Sequence, residues 1–188
     1  MSGSKPYHHG NLRSTLLDAS LVLIRDEGLD RFSLRQLAAK SGVSHTAAYR
    51  HFRDKDQLLL ALAESILKRT ADRILYHSLK GLKPQECLSL GALACLRYWL
   101  ERPDEFRILT TLGPTAAALP NPALDALQTL ATACRFHKTT PASVALLLWS
   151  QLHGIAELSI RRQAGFQSRK QTLDFADASL RLLIPSLH

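Results

Sequence analysis

Apolar positions along the chain recur at spacings of three and four, and no stretch alternates long enough to predict a strand. Between Asn11 and Gly28, the residues Leu12, Leu16, Ala19 and Leu23 fall on one face. That spacing predicts an amphipathic helix with Asn11 as its N-cap and Gly28 just past its end. The run Ser33-Leu34-Arg35-Gln36 has the form of a capping box, so a short second helix begins at Ser33 and ends near Ser41-Gly42. Ser44 caps a third short helix reaching Phe52, and Asp54 caps a long fourth one that continues to His77. From Gly81 the pieces lengthen. Pro84 opens a helix that carries Trp99 and stops before Arg102-Pro103, and Asp104 caps another that ends at Gly113. Residues 113 to 122 concentrate Pro114, Pro120 and Pro122 with glycine and asparagine and read as a loop. Three more helices follow, over Ala123 to Phe136, Pro141 to Arg162 and Arg169 to Leu183, the last halted by Pro185.

Three short helices feeding a long one, then a set of longer helices, predict an all-α protein. Residues 1 to 56 form a small N-terminal domain, the first nine or so being an arm, and residues 57 to 188 form a larger helical domain. Composition agrees, since 46% of the 188 residues are hydrophobic and Leu and Ala outnumber the β-branched residues that strands prefer. A net charge of +8 points to a polyanionic partner, either nucleic acid or an anionic membrane surface. That charge is not concentrated in the short helices, because residues 1 to 56 hold nine Lys or Arg against six Asp or Glu. Cys87, Cys95 and Cys134 match neither a zinc site nor a disulfide framework and are expected to be reduced core thiols. The N-terminus lacks the apolar stretch of a signal peptide, and the most apolar run is broken by Gln151, His153 and Glu157, so a cytoplasmic protein with no membrane role is expected.

Residues 34 to 52 have the arithmetic of a helix-turn-helix. Two helices crossing steeply need a small residue at their closest approach, a residue tolerant of positive φ in the turn, and apolar residues pinning one to the other. Ala38, Gly42 and the set Leu37, Val43 and Ala48 supply these in turn. With those facing inward, the third helix presents His45, Thr46, Ala47, Tyr49, Arg50 and His51 outward. On geometry alone a solvated helical hairpin fits equally well. The chemistry of the face favours DNA, because Arg, His, Thr and Tyr suit phosphates and base edges whereas a merely soluble helix more usually carries Glu–Lys pairs.

Over residues 10 to 60 the chain resembles the DNA-binding domain of the tetracycline-repressor (TetR) family of bacterial transcriptional regulators. The resemblance rests on Ala19 and Gly28, on FSLRQLAAKSGVS at 32 to 44, on YRHF at 49 to 52 and on DKDQLL at 54 to 59. YHHGNLR at 7 to 13 and a W-x-x-x-H-G motif at Trp149, His153 and Gly154 further resemble one branch of that family. The resemblance implies a homodimer that represses from a pseudo-palindromic double-stranded DNA operator and leaves it when a small molecule binds the C-terminal domain. By position it implies that Arg35, His45, Thr46 and Ala47 face base edges. Ser33, Ser44, Tyr49, His51 and Lys55 then hold phosphates, and Arg50 does either. Lys55 sits at the start of a helix, where free backbone N–H groups already favour a phosphate. Lys5, His8, His9 and Arg13 are candidates for an arm along the DNA backbone, with a plain tail as the alternative. HTAA at 45 to 48 departs from the family's usual pattern and makes Ala48 an unusually small inner contact.

In the larger domain, Val144, Leu147, Leu148, Leu152, Ile155 and Leu158 put apolar residues on more than one side of a helix. A dimer interface on the last two helices, with Leu148, Leu152, Ile155, Ala178 and Leu182, is the expectation, as in TetR relatives, and Gly154 allows close approach. A fully intramolecular core helix is the other reading. Tyr98, Trp99, Phe106, Phe136, His137, Trp149 and His153 are candidates to line an effector pocket, and the apolar character of 91 to 119 suggests a hydrophobic or aromatic effector. No cofactor or metal is expected. The rival function classes, a small helical enzyme and a cysteine-based redox regulator, lack support, since there is no HExxH, phosphate-binding glycine loop, nucleophile elbow or resolving cysteine pair.

Overall fold

The computed structural model describes residues 12–76, 81–112 and 119–187. Among them are nine helices and no strand: α1 (Leu12–Glu27), α2 (Leu34–Lys40), α3 (His45–His51), α4 (Lys55–Tyr76), α5 (Pro84–Glu101), α6 (Pro103–Thr111), α7 (Pro122–Ala133), α8 (Pro141–Ile160) and α9 (Arg169–Ser186). The all-α expectation is met. The expected N-cap Asn11, the arm residues Lys5, His8 and His9, and most of the 113–122 loop lie outside the described residues.

The chain divides into two compact units, Met1–Ala63 with Arg107–Ala117, and Glu64–Phe106 with Ala118–His188. In the first, Leu16, Leu23, Ile24, Phe32, Leu37, Ala48 and Phe52 are almost wholly buried. Burying each larger side chain contributes roughly 1.5–3 kcal/mol. The second unit is built from α5 packed on α7, α8 and α9, with α7 also lying on α8. Leu88, Ala92, Cys95, Leu96 and Trp99 of α5 fill its centre. Gly91 permits this packing, because a Cβ there would come 2.7 Å from Leu130 Cδ1 and 3.1 Å from the Ile74 carbonyl oxygen. By length and composition α8 would suffice to cross a bilayer. Its Val144, Ala145, Leu148, Leu152 and Ala156 are instead buried.

Three boundaries differ from the sequence expectation, each for a local reason. α6 starts at Pro103, not after Asp104, since proline needs no N–H partner in the first helical position. α7 ends at Ala133 and not Phe136, because Arg135 turns to a left-handed φ of 51°. α9 continues past Pro185 to Ser186. A proline in the last turn removes only one terminal hydrogen bond, so it marks the end without forcing it.

Candidate nucleic-acid interface

The turn between α2 and α3 closes as a left-handed C-cap. The N–H of Gly42 donates to the Ala39 carbonyl (3.3 Å) and that of Val43 to the Ala38 carbonyl (3.1 Å), with Gly42 at φ 66°. This exits α2 sharply and aims α3 across it. Ser33 accepts from the Gln36 N–H at the start of α2, and Ser44 from the Ala47 N–H at the start of α3. The capping box at Ser33 is modified: its hydroxyl donates to Gln36 Oε1, and the Gln36 amide reaches Glu27 on α1 at 2.9 Å. Ala48, wholly buried, is the inner contact of α3, and its small size lets the helix sit close beneath Ala38 and Leu37, which are also buried.

With Ala48 inward, His45, Thr46, Tyr49, Arg50 and His51 are exposed and Ala47 is half-buried; Arg35 on α2 is exposed as well. His45 and Tyr49, one turn apart, place their rings 4.4 Å from each other, so part of the outward face is a paired aromatic surface. A cleft of about 430 Å³ flanks α3, lined by Leu12, Gly42, Val43, Ser44, Ala47, Arg50 and His51. Leu12, at the very start of α1, joins this cleft, a placement that sequence spacing gave no means to find.

Apart from half-buried Ala47, which has no polar side-chain group, the ten candidates for DNA contact separate into two kinds. Arg35, His45, Thr46, Tyr49, Arg50 and His51 are exposed on α2 and α3, with no side-chain hydrogen bond among the described residues that competes with a ligand. Ser33, Ser44 and Lys55 already serve the fold. Lys55 Nζ donates to the Leu29 carbonyl at 2.8 Å and lies 5.9 Å from the Phe32 ring centre. An ammonium has three donors, so this tie leaves capacity for a phosphate while fixing where the group points. Arg13 is similarly held, its guanidinium 5.4 Å from the Phe52 ring. The neighbouring Asp54 caps α4 by accepting from the Gln57 N–H (2.8 Å), and that bond together with Arg53 holds its carboxyl below the usual range.

In the second unit the candidates for an effector site also divide. Trp99 and Phe106 are fully buried, and Trp99 stacks with Phe106 and edge-on with Trp149, their centroids 5.1 Å apart in each pair; His153 lies 4.4 Å from both tryptophans. The His153 Nδ1 pairs with the Trp149 carbonyl (3.0 Å), and burial holds the imidazole below its ordinary pKa. This is a packed aromatic core that uses two residues of the W-x-x-x-H-G motif. Phe136 is half-buried and His137 exposed beyond the end of α7. Tyr98 is nearly buried and lines a surface cleft described below.

Of the five expected dimer residues, Ala178 and Leu182 lie on an open surface and three do not. Leu148, Leu152 and Ile155 are buried within the chain itself, because α8 turns that stripe inward. The apolar face left open is carried by Leu146, Leu147 and Leu158 on α8 and by Phe175 and Leu182 on α9, with Ala178 and Gly154 also exposed.

Comparison with known proteins gives two family matches. Residues 16–62 match the model for bacterial regulatory proteins of the tetR family, and residues 88–184 match the tetracyclin repressor-like C-terminal domain. The HTH-type transcriptional repressor Rv1474c of Mycobacterium tuberculosis is 31% identical over 114 residues, 61% of this chain and 54% of that protein. The class A tetracycline repressor from transposon 1721 of Escherichia coli is 44% identical over 54 residues, 29% of this chain and 25% of that protein. The chain therefore spans about half or less of the length of these curated relatives. A solved structure of a protein of unknown function from Rhodococcus sp. RHA1 superposes with a TM-score of 0.77 at 25% identity, covering 94% of this chain and 97% of that one. A TetR-family transcriptional regulator from Pectobacterium atrosepticum superposes at 0.75, with 22% identity and 94% of each chain covered. With the helix-turn-helix matching one model and more than half of the chain matching the other, this protein belongs to the tetracycline repressor family of bacterial regulatory proteins.

Proposed function

We propose that the protein is a sequence-specific transcriptional regulator of a bacterial cytoplasm, a repressor that binds a pseudo-palindromic operator as a homodimer and is released by a small molecule. The carrying observation is the outward face of α3, where His45, Thr46, Tyr49 and Arg50 are exposed on a helix pinned from behind by buried Ala48. No catalytic role is proposed. Arg35, His45, Thr46 and Ala47 read base edges, and Ser33, Ser44, Tyr49, His51 and Lys55 position the backbone, with Arg50 able to do either.

The dimer surface on this reading is the α8–α9 face of Leu147, Gly154 and Leu158 with Phe175, Ala178 and Leu182, residues spaced so that each set shares one side of its helix. The effector is a small hydrophobic or aromatic molecule held by the second unit. Membership of a W-x-x-x-H-G branch is supported by the way Trp149 and His153 close the aromatic core with Trp99.

A gel shift with DNA from upstream of the protein's own gene tests the operator reading. A specific complex is expected, weakening steeply as salt rises because bound phosphates release counterions. Arg35→Ala should relax discrimination at particular bases, by about 1–3 kcal/mol per lost contact, whereas Tyr49→Phe should weaken all sequences alike. A uniform loss for Arg35→Ala assigns that residue to phosphate, and no salt-sensitive specific complex removes the reading.

A further inference from the structure

The second unit contains a polar site that the aromatic core does not account for. A cleft of about 330 Å³ lies between the C-terminal turns of α4 and the end of α5, lined by Arg69, Asp72, Arg73, Tyr76, Tyr98 and Arg102. Three of its six lining residues are arginines and two are tyrosines. Its volume is at the lower end of the range for small-molecule sites.

Behind this wall stands Glu105, whose side chain is only 13% exposed. One of its carboxylate oxygens accepts the Tyr98 hydroxyl at 2.5 Å. Arg69 Nη2 lies 3.5 Å from the same oxygen, and Arg102 Nε lies 3.7 Å from the other. Those two distances are ion-pair distances, too long or too bent for hydrogen bonds. Glu105 therefore orients both guanidiniums without saturating them. Arg69 Nε and Nη2 are buried and make no hydrogen bond among the described residues. A buried donor without an acceptor is costly, and guanidinium donors more so than most. Arg102 is fixed further by stacking 4.7 Å over the Tyr98 ring. Asp72 is the one carboxylate among the lining residues, and Glu101 beside the cleft accepts from Arg102 Nη1 at 3.4 Å, so Arg73 is the arginine of the three with no carboxylate partner among the described residues.

We infer that this cleft binds a small organic acid, its carboxylate taken by the Arg69, Arg73 and Arg102 guanidiniums and its planar body laid against the Tyr98 and Tyr76 side. A guanidinium presents paired N–H donors at the spacing of the two oxygens of a carboxylate. An incoming carboxylate meets the solvent-facing parts of the guanidiniums, the Arg69 and Arg102 side chains being 36% and 40% exposed, while the buried Nη2 of Arg69 stays against Glu105. The inference sharpens the effector class from hydrophobic or aromatic to aromatic and anionic. Binding stands independently of the DNA role, and only its effect on DNA rests on the proposed function.

The test uses the full chain with benzoate, phenylacetate, benzamide and inorganic phosphate at fixed ionic strength, read by calorimetric titration and thermal shift. The two carboxylates should bind saturably and raise Tm, with neutral benzamide and phosphate at least tenfold weaker. Arg73→Gln removes an exposed side chain with no packing role and should weaken benzoate about tenfold or more, a loss on the scale of one charged hydrogen bond, with the unliganded Tm unchanged. Arg69→Lys should likewise weaken benzoate, through loss of the paired donors. Equal binding of benzoate and benzamide, equal binding of phosphate, no saturable binding of either carboxylate, or full retention in Arg73→Gln each overturn the proposal. In a parallel gel shift, benzoate binding that leaves a specific DNA complex intact overturns its role as the releasing ligand and leaves the site standing. Failure to form any DNA complex bears on the proposed function alone.

Discussion

Single residues in this chain have two kinds of work, and neighbours in sequence often differ in which they do. Leu147 and Leu148 are indistinguishable in composition, yet the first is 41% exposed and the second wholly buried. Ser44 carries two expectations, a helix cap from its sequence position and a phosphate contact from the family resemblance; its hydroxyl accepts from the Ala47 N–H and keeps a further acceptor site and its own proton for DNA. His153 carries a consequence for pH. Burial holds its imidazole below the ordinary value of 6.5, against the smaller opposing pull of the Trp149 carbonyl and Glu157. Below that ordinary value the unfolded chain takes up a proton that the folded chain does not. Stability is therefore complete above about pH 6.5 and declines as pH falls from there toward the folded pKa. Thermal melts between pH 7.5 and 5 should show this decline, and His153→Gln should flatten it. An equally steep slope in the variant would place the titration elsewhere.

At the scale of elements, capping chemistry was legible and depth was not. Ser33, Ser44 and Asp54 cap helices through side-chain oxygens as local sequence indicated, because the partner N–H lies three residues on, and the structure adds Thr140 and Ser168 by the same geometry. The capping box at Ser33 differs in detail, since Gln36 prefers Glu27 on α1, a partner that only tertiary structure brings near. A glycine inside a helix ordinarily weakens it, and Gly91 lies within α5. In the fold it is where α5 meets the Ile74 carbonyl of α4 and Leu130 of α7. Gly91→Ala should raise helix propensity yet destabilise the protein by about 1–3 kcal/mol, because a carbonyl oxygen cannot move aside as a side chain can. Chemical denaturation checks this, and a variant more stable than the parent would show the crossing to be looser than these distances imply.

For the molecule as a whole, the exposed apolar face of α8 and α9 is the feature that a single chain does not satisfy. Leu146, Leu147, Leu158, Phe175 and Leu182 are between 41% and 79% exposed, and they lie on two helices that pack against each other. Contiguous apolar surface of this kind marks an interaction site more often than an isolated exposed leucine does. Two variants separate self-association from core packing. Leu182→Glu combined with Leu147→Glu should yield a folded monomer by light scattering, with helical content retained. Leu152→Ala should instead lower stability by about 2–5 kcal/mol without directly removing the exposed face. Dimers that persist in the double glutamate variant would move the interface elsewhere.

By itself the sequence determined the helical class, the order of the helices, the caps at Ser33, Ser44 and Asp54 and the helix-turn-helix with its outward residues. All of these depend on interactions within a few positions of one another or on the period of a helix, and both are written into local spacing. Tertiary structure alone decided which of two apolar stripes of α8 faces the core, and it tied Lys55 to the Leu29 carbonyl. It also brought Arg69, Arg73 and Arg102 from two helices to one wall in front of Glu105. Those outcomes follow from how helices distant in sequence lie against one another, and a period of 3.6 residues carries no information about the neighbour that a face will meet.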